Sequence, residues 1–192
     1  MRSSRLVAGL CGVLALSSVA SAVAGPFADN RTYMGARYGQ LDFETRRFPH
    51  DHELDFVGLY GGYFVHPNVA LEARAGTGLG TDTSEVDGAE SRVSLDYLFA
   101  SHLIGRLPLV ASPASVFGAL GFSYVGFGQL EPPPSPNDDG TLIGADGGFS
   151  VGAGLEVELL QDVTLEADYV RYNYRRSYDL KGFSVGLRVA WY

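Results

Sequence analysis

Acidic and basic residues recur at alternate positions of several segments, a spacing that suits ion pairs, an ion path or an acid–base pair. Glu156 and Glu158 lie two residues apart, and so do Glu166 and Asp168. Residues two apart share one face of a β-strand, so each pair would point to the same side. Paired carboxylates can act as general acid and base, but nothing in the sequence supplies a substrate pocket. Ion pairing with arginine is therefore the favoured role, and we predict no catalytic residue.

Histidines are the other side chains that could do chemistry. Residues 50–53 read HDHE, but neighbouring side chains of an extended loop point in opposing directions, which disfavours a shared metal ion. Ser101 precedes His102, yet successive strand residues face opposite sides, so the two cannot readily form a hydrolase pair. We therefore predict no metal site and no cofactor.

The elements that position these side chains are predicted to be β-strands, because hydrophobicity alternates with a period of two. In residues 149–160 an aliphatic face opposes glycine, serine and glutamate. Eight strands follow from this alternation, at residues 32–43, 55–65, 69–77, 92–106, 116–127, 149–160, 163–172 and 180–191. The first, second and fifth are rich in glycine and carry aromatics on both sides, so their faces stay unassigned.

Composition excludes several classes of protein. Of 192 residues, 46% are hydrophobic, 19% are charged and 25 are glycine. This content is too hydrophobic for a disordered chain, and its glycine and aromatic residues disfavour a helical bundle. The formal net charge of −8 predicts no nucleic-acid partner, since phosphate binding needs a basic surface.

The first residues have the pattern of a secretory signal peptide. Arg2 and Arg5 precede the apolar stretch 6–16, and small residues offer cleavage near 22 or 24. We predict a cleaved segment 1–24 and a mature domain 25–192. In that domain no apolar run approaches the roughly 18 residues of a transmembrane helix. The sequence therefore predicts either an exported soluble protein or a β-barrel that crosses a membrane with strands.

The connections between the predicted strands alternate in length. Those at 66–68, 108–115 and 161–162 are short, and those at 44–54, 78–91, 128–148 and 173–179 are long. Membrane barrels have short turns on one side and long loops on the other. A soluble sandwich also alternates, but mid-strand acids and aromatics near strand ends favour the barrel. The aromatics expected to form interfacial girdles include Tyr33, Tyr63, Phe64, Tyr124 and Trp191.

One stretch carries a strand–turn–strand pattern, and two later stretches have the pattern of single strands. Residues 61–72 read GGYFVHPNVALE, residues 152–156 read GAGLE, and residues 165–169 read LEADY. In this order they resemble the small outer-membrane β-barrel family, the OmpA-type eight-stranded transmembrane domain, which includes porin-like proteins. The resemblance implies an all-β fold, an eight-stranded antiparallel up-and-down transmembrane β-barrel, in a bacterial outer membrane.

The last strand resembles the signal that the barrel assembly machinery reads during biogenesis. Ser184, Gly186, Val189 and Trp191 fit the pattern polar-x-Gly-x-x-hydrophobic-x-aromatic, with Tyr192 one residue beyond it. The resemblance implies that this machinery is a partner of the chain.

The inner faces of such a barrel would carry a network of charges. Its predicted members are Glu72, Arg74, Asp96, Arg106, Glu156, Glu158, Glu166, Asp168 and Arg188. Buried charges need partners, so interior ion pairs that fill the barrel are favoured. A narrow ion path is the alternative, because carboxylates outnumber arginines in this set.

We expect a monomeric, non-enzymatic protein with an envelope-structural or surface-interaction role. Arg175 and Arg176 offer paired guanidinium groups for phosphate, so lipopolysaccharide, outer-membrane lipids and a host or surface ligand are predicted partners. A small passive channel and a lipid-A-modifying enzyme stay open as alternatives. Some barrels of this size deacylate lipid A with a His-x-Ser pair, and none of the four histidines here is followed by x-Ser.

Overall fold

The fold is seen in a computed structural model that describes residues 31–45, 48–86, 89–127, 145–174 and 178–191. The predicted signal peptide 1–24 and most of the predicted loop 128–148 lie outside the described residues. Arg175, Arg176 and Tyr192 lie outside them as well. Within the described part, no helix is both long and apolar enough to cross a membrane.

The described residues form nine antiparallel strands. They are β1 (Thr32–Thr45), β2 (Phe48–His66), β3 (Val69–Gly78), β4 (Thr81–Val86), β5 (Ala89–Pro108), β6 (Ala114–Phe127), β7 (Ala145–Leu160), β8 (Val163–Tyr174) and β9 (Tyr178–Trp191). Most strands are longer than predicted, and the largest extensions are at the starts of β2, β5 and β7, which begin at Phe48, Ala89 and Ala145. The residues added to β2 do not alternate in hydrophobicity, yet the backbone ladder still pairs them, as in Asp42 with Glu53.

Pairing of the first and last strands closes the sheet into a barrel. β1 pairs with both β2 and β9, and β3 pairs with β5. β4 continues the wall of β3 beyond a bend at Leu79 and Gly80, and it pairs with the first part of β5. The barrel therefore has eight walls, which confirms the predicted eight-stranded antiparallel up-and-down topology. Closure removes the free edges of the barrel itself, whereas β4 and the first part of β2, at the loop side, each pair on one side only.

The outer face of the barrel is apolar. Leu59 is 57% exposed, Leu155 is 55% exposed and Leu187 is 51% exposed, all at mid-strand. Exposure of so much contiguous apolar surface is unfavourable in water and favourable in lipid. Above this band, on the loop side, exposed aromatics gather: Tyr97 stacks on Tyr124 with centroids 6.1 Å apart.

Two of the aromatics predicted for the interfacial girdles face inward, so that prediction is wrong for them. Tyr33 is 2% exposed and Phe64 is 6% exposed, and their rings pack at 5.3 Å. Tyr124 and Trp191 are exposed on the outside, at 48% and 44%. Sequence alone could not separate the two groups, because β1 and β2 carry aromatics on both faces.

Side chains fill the inside of the barrel in layers. On the loop side lies an apolar layer, called here the loop-side layer, made of Leu41, Phe43, Leu54, Phe56, Leu95, Leu98, Ala100, Val125, Phe127, Val170, Tyr172 and Leu180. Near the turns lies a second, turn-side layer made of Tyr33, Tyr60, Phe64, Ala70, Ile104, Phe117 and Ala119. Polar residues lie between them along each strand, as His102 does between Ala100 and Ile104 on β5.

Gly121 on β6 allows β5 and β6 to approach closely, and this predicts the effect of a substitution. A Cβ at Gly121 would overlap the carbonyl oxygen of Ser101 and lie 2.9 Å from the Cα of His102, whereas a Cβ at Gly105 meets nothing within 4 Å. We expect Gly121→Ala to lower the free energy of unfolding by about 2–4 kcal/mol.

The matched control is Gly105→Ala, for which we expect a change within about 0.5 kcal/mol. Urea unfolding in lipid vesicles, followed by the fluorescence of the single tryptophan, measures both. Equal stabilities of the two variants would show that the strands can separate at Gly121 without loss.

Candidate functional site

Among the described residues, eight charged side chains meet inside the barrel, and they are the candidate site. They are Arg37, Arg74, Arg106, Arg188, Glu72, Glu156, Glu166 and Asp168, each with a side chain no more than 8% exposed. Four guanidinium groups thus face four carboxylates, and their formal charges cancel. We call this set the interior charge cluster.

Asp168 and Glu72 organise the middle of the cluster. Arg37 and Arg74 each donate to Asp168 Oδ2, at 2.9 and 2.8 Å, and Ser184 Oγ donates to the other oxygen. Arg74 Nε also donates to Glu72 at 2.7 Å. Arg74 therefore bridges the two acids, so β3 and β8 are tied together across the lumen.

Glu156 organises the part of the cluster nearer the turns. It accepts hydrogen bonds from Arg106 Nε and from Arg188 Nη1, both at 3.0 Å. Arg188 Nη1 also lies 2.7 Å from Glu166 Oε1. Each of these charges is paired, and charge-assisted hydrogen bonds of this kind are the strong ones.

Tyr33 joins the two parts. Its hydroxyl donates to Glu72 at 2.8 Å and lies 3.5 Å from Arg106 Nη2, at the outer limit of a hydrogen bond. Its ring lies beneath the guanidinium of Arg188, whose carbon is 5.0 Å from the ring centroid. Arg37 lies in the same way over Tyr60, at 4.2 Å. Such cation–π contacts fill the remaining faces of the arginines with aromatic surface rather than water.

The sequence analysis named seven members of this cluster, and the barrel brings all seven inside. It missed Arg37, because the faces of β1 could not be assigned. The inward series Tyr33, Arg37 and Leu41 has the correct spacing, with residues four apart, but glycines and aromatics on the other face hide it. With Arg37 included and with Asp96 and Glu158 outside the cluster, the predicted excess of acids over arginines disappears.

Two predicted lumen charges lie elsewhere, so the prediction is wrong for them. Asp96 is exposed, because a register shift between Leu95 and Tyr97 places Leu95 and Leu98 both inside. Glu158 is exposed at the turn end of β7, where the register shifts between Glu158 and Leu160. The bulge at Asp96 reverses the inside–outside alternation and has no signal in the residue types. Glu158 keeps its register opposite the buried Thr164 and is exposed because it lies at the turn-side end of the barrel.

His102 finds a serine that sequence reasoning did not pair with it. Its Nε2 lies 2.9 Å from Ser150 Oγ on β7, and Gly121 on β6 lies between the two in register. The pair has the geometry of a base and a nucleophile. Both residues are at most 1% exposed and lie below the loop-side layer. Their hydrogen bond gives one buried polar atom of each residue a partner.

The residues of the predicted assembly signal divide between the two faces of β9. Ser184 and Gly186 face inward, where Ser184 belongs to the Asp168 contacts. Val189 is 48% exposed and Trp191 is 44% exposed on the lipid side. As for a metal, no group of three or more suitable ligands occurs within the described residues. The side chains of His50, Asp51 and His52 lie outside that part of the chain.

Comparison with known proteins places the fold of this chain among membrane β-barrels. A family described as "Outer membrane protein beta-barrel domain" matches residues 9–191. No curated protein matches the sequence significantly. The fold is similar to that of neisserial surface protein A, with a TM-score of 0.62 and 13% identity over 82% of this chain and 96% of that one.

Two further solved structures share the fold. OprG of Pseudomonas aeruginosa has a TM-score of 0.62 and 10% identity, over 86% of this chain and 98% of that one. Ail, the attachment invasion locus protein of Yersinia pestis, has a TM-score of 0.55 and 13% identity, over 84% and 99%. At such identities the likeness concerns the fold alone.

Asp168 and Asp96 offer a direct comparison of an inner and an outer carboxylate. Asp168→Asn removes one charge and leaves Arg37 and Arg74 without their shared carboxylate, so we expect a loss of about 3–5 kcal/mol in unfolding free energy. Asp96→Asn makes the same chemical change in an exposed side chain, and we expect a change within about 0.5 kcal/mol. Urea titration in vesicles measures both, and a similar loss for Asp96→Asn would contradict its placement outside.

Proposed function

Because the chain belongs to the outer membrane protein β-barrel domain family, we propose that it is a non-enzymatic protein that carries extracellular loops on a filled barrel. Its location is the bacterial outer membrane. In this role the protein has an envelope-structural or surface-interaction function. The barrel supports the loops, and the loops make the contacts. We further propose that it works as a monomer, and that the barrel assembly machinery recognises β9 during biogenesis.

The filled interior is the observation that supports this role over that of a channel. A conducting pore needs a continuous, water-lined path and a charge excess that attracts one sign of ion. Here the interior charge cluster is neutral, its side chains are at most 8% exposed, and the loop-side layer lies above it with members such as Leu41 and Val125 at 0%. An ion would have to break several paired contacts to pass.

The rival reading, a small passive channel, makes the opposite prediction in a planar bilayer. We expect the refolded protein to give no stable conductance steps, because the charge pairs and the loop-side layer block the lumen. A general porin in the same bilayer serves as the positive control, and a heat-dependent gel shift verifies that the barrel is folded. Reproducible steps from the folded protein would overturn the proposed role.

A surface-interaction role needs a ligand, and anions are the favoured class. Among the similar structures, Ail was solved in complex with the heparin analogue sucrose octasulfate. In this chain, Arg175 and Arg176 lie in the connection between β8 and β9, and paired guanidinium groups bind phosphate or sulfate well. We propose lipopolysaccharide headgroups and other surface anions as ligands of that connection.

Removal of those two arginines tests the contact. We expect Arg175→Ala with Arg176→Ala to lower the amount of lipopolysaccharide that copurifies with the protein, since two phosphate-binding groups are lost. The matched control is Arg46→Ala with Arg47→Ala, which removes two consecutive arginines from the connection between β1 and β2. Unchanged lipopolysaccharide retention in the first variant, or an equal loss of lipopolysaccharide in both variants, would contradict the proposed contact.

A further inference from the structure

β4 is an edge strand on the loop side of an otherwise closed barrel. Among the strands that the structure describes, its residues Thr81–Val86 pair only with residues 89–94 of β5. Backbone groups alternate in direction along a strand, so the N–H and C=O groups of every second residue of β4 point away from β5. Such a row of backbone groups is a template for the addition of another extended chain.

The edge of β4 lies outside the hydrocarbon, where a segment of another protein can reach it. Tyr97 on β5 belongs to the aromatics at the loop end of the apolar band, and rings of this kind mark the membrane interface. Ser94, the partner of Thr81 in register, lies three residues further toward the loops, or roughly 10 Å along an extended strand. β4 is therefore on the aqueous side of the interface.

β4 lacks two features that often protect a free edge. The first part of β2 also pairs on one side only, but it contains Pro49, and its register with β1 shifts between Phe43 and Thr45. Proline and bulges both prevent the pairing of further chains at an edge. β4 contains neither proline nor glycine, and its register with β5 runs unbroken from Thr81 to Val86. An added strand would therefore find a regular partner in β4.

The charges of β4 favour a basic partner. Asp82 and Glu85 are the only charged residues of this strand, and both are acidic. Glu85 also lies directly opposite Glu90 in register, and like charges in this position are unfavourable in a sheet. A basic residue opposite Glu85 on an added strand would offset that repulsion.

The same charges disfavour a second copy of this chain as the added strand. If two β4 edges paired in the symmetric antiparallel register, each Asp82 would lie opposite the Glu85 of the other copy. Like charges would then meet at both positions, with no lysine or arginine in either strand. The acidic edge thus opposes self-association and attracts a basic chain.

We infer that the free edge of β4 binds an extended, basic segment of another protein as an added antiparallel strand. The segment carries two lysines or arginines three residues apart, because Asp82 and Glu85 have that spacing and one residue of the added strand lies opposite each of them. The inference rests on the proposed surface-interaction role. It names the chemistry of one partner, at a place separate from the arginines between β8 and β9.

Fluorescence anisotropy of a labelled peptide tests the contact, with the full-length folded protein in nanodiscs of zwitterionic lipid. The probe is a six-residue peptide of threonine with lysine at its second and fifth positions. The control is the same peptide with every backbone amide nitrogen methylated, which keeps the charge and removes the backbone donors. We expect only the first peptide to bind. Equal binding of both would show that charge alone attracts them and would overturn the strand assignment.

The spacing of the lysines tests the register. A peptide with lysine at its second and fourth positions has the same composition, but only one of its lysines lies opposite an acid of β4. We expect it to bind about threefold more weakly, which corresponds to the loss of one cross-strand charge pair. Equal affinity of the two peptides would contradict the predicted pairing with Asp82 and Glu85.

Reversal of the charges on β4 tests the location. We expect Asp82→Lys with Glu85→Lys to lose the lysine peptide and to bind the corresponding glutamate peptide instead. The matched control is Asp51→Lys with Glu53→Lys on the free edge of β2, which should keep the original preference. A heat-dependent gel shift verifies that both variants are folded. If both variants change their preference alike, general electrostatic attraction explains the binding, and the site on β4 is overturned.

Two further measurements identify the occupant of the edge. The lysine peptide should slow amide hydrogen exchange within residues 81–86, and protection confined to other residues would overturn the site. Sedimentation that shows dimers dispersed by the peptide would mean that a second copy occupies the edge, which overturns the assignment to another protein. The outcome is separable from that of the proposed function. A conducting barrel that binds the peptide contradicts only the proposed function, and a silent barrel that does not bind it contradicts only this inference.

Discussion

The whole structure depends on the pairing of backbone hydrogen bonds where water is absent. In hydrocarbon each unpaired N–H or C=O is expensive, so the sheet must close, and it does so through β1 with β9 and β3 with β5. A closed ring of eight walls leaves an interior that only side chains fill. Because the closed ring encloses its inward side chains, each of them must find a partner within the barrel.

The interior charge cluster meets that requirement by charge balance. Burial of an ion pair is roughly neutral in free energy against an apolar filling, whereas loss of one partner is costly. The cluster therefore adds little to the free energy of unfolding, and its main effect is to select one register of the strands. Asp168 accepts from arginines 131 and 94 residues away in the sequence, and a one-residue slip of β8 would turn it toward lipid. The correct strand register is therefore the one in which each interior charge has a partner of opposite sign.

The same physics explains what the sequence could and could not predict. Alternation identified the strands and seven of the eight charged side chains inside, because each lies in a strand whose aliphatic face is unambiguous. Arg37 was missed because glycine and aromatics in β1 blur the two faces. Asp96 was misplaced because a bulge beside it reverses the alternation. The partner of His102 is invisible to local patterns, since Ser150 lies on a strand two positions away in the sheet.

The charges inside the barrel and the charges at its loop ends have different roles. The formal charges of the interior charge cluster cancel, so the cluster presents no net charge to an ion and its pairs act on the fold. The charges that remain unbalanced lie at the loop ends, where acids predominate and adjacent arginines occur in two connections, at 46–47 and 175–176. A barrel whose interior charges are paired can carry these connections at its loop end.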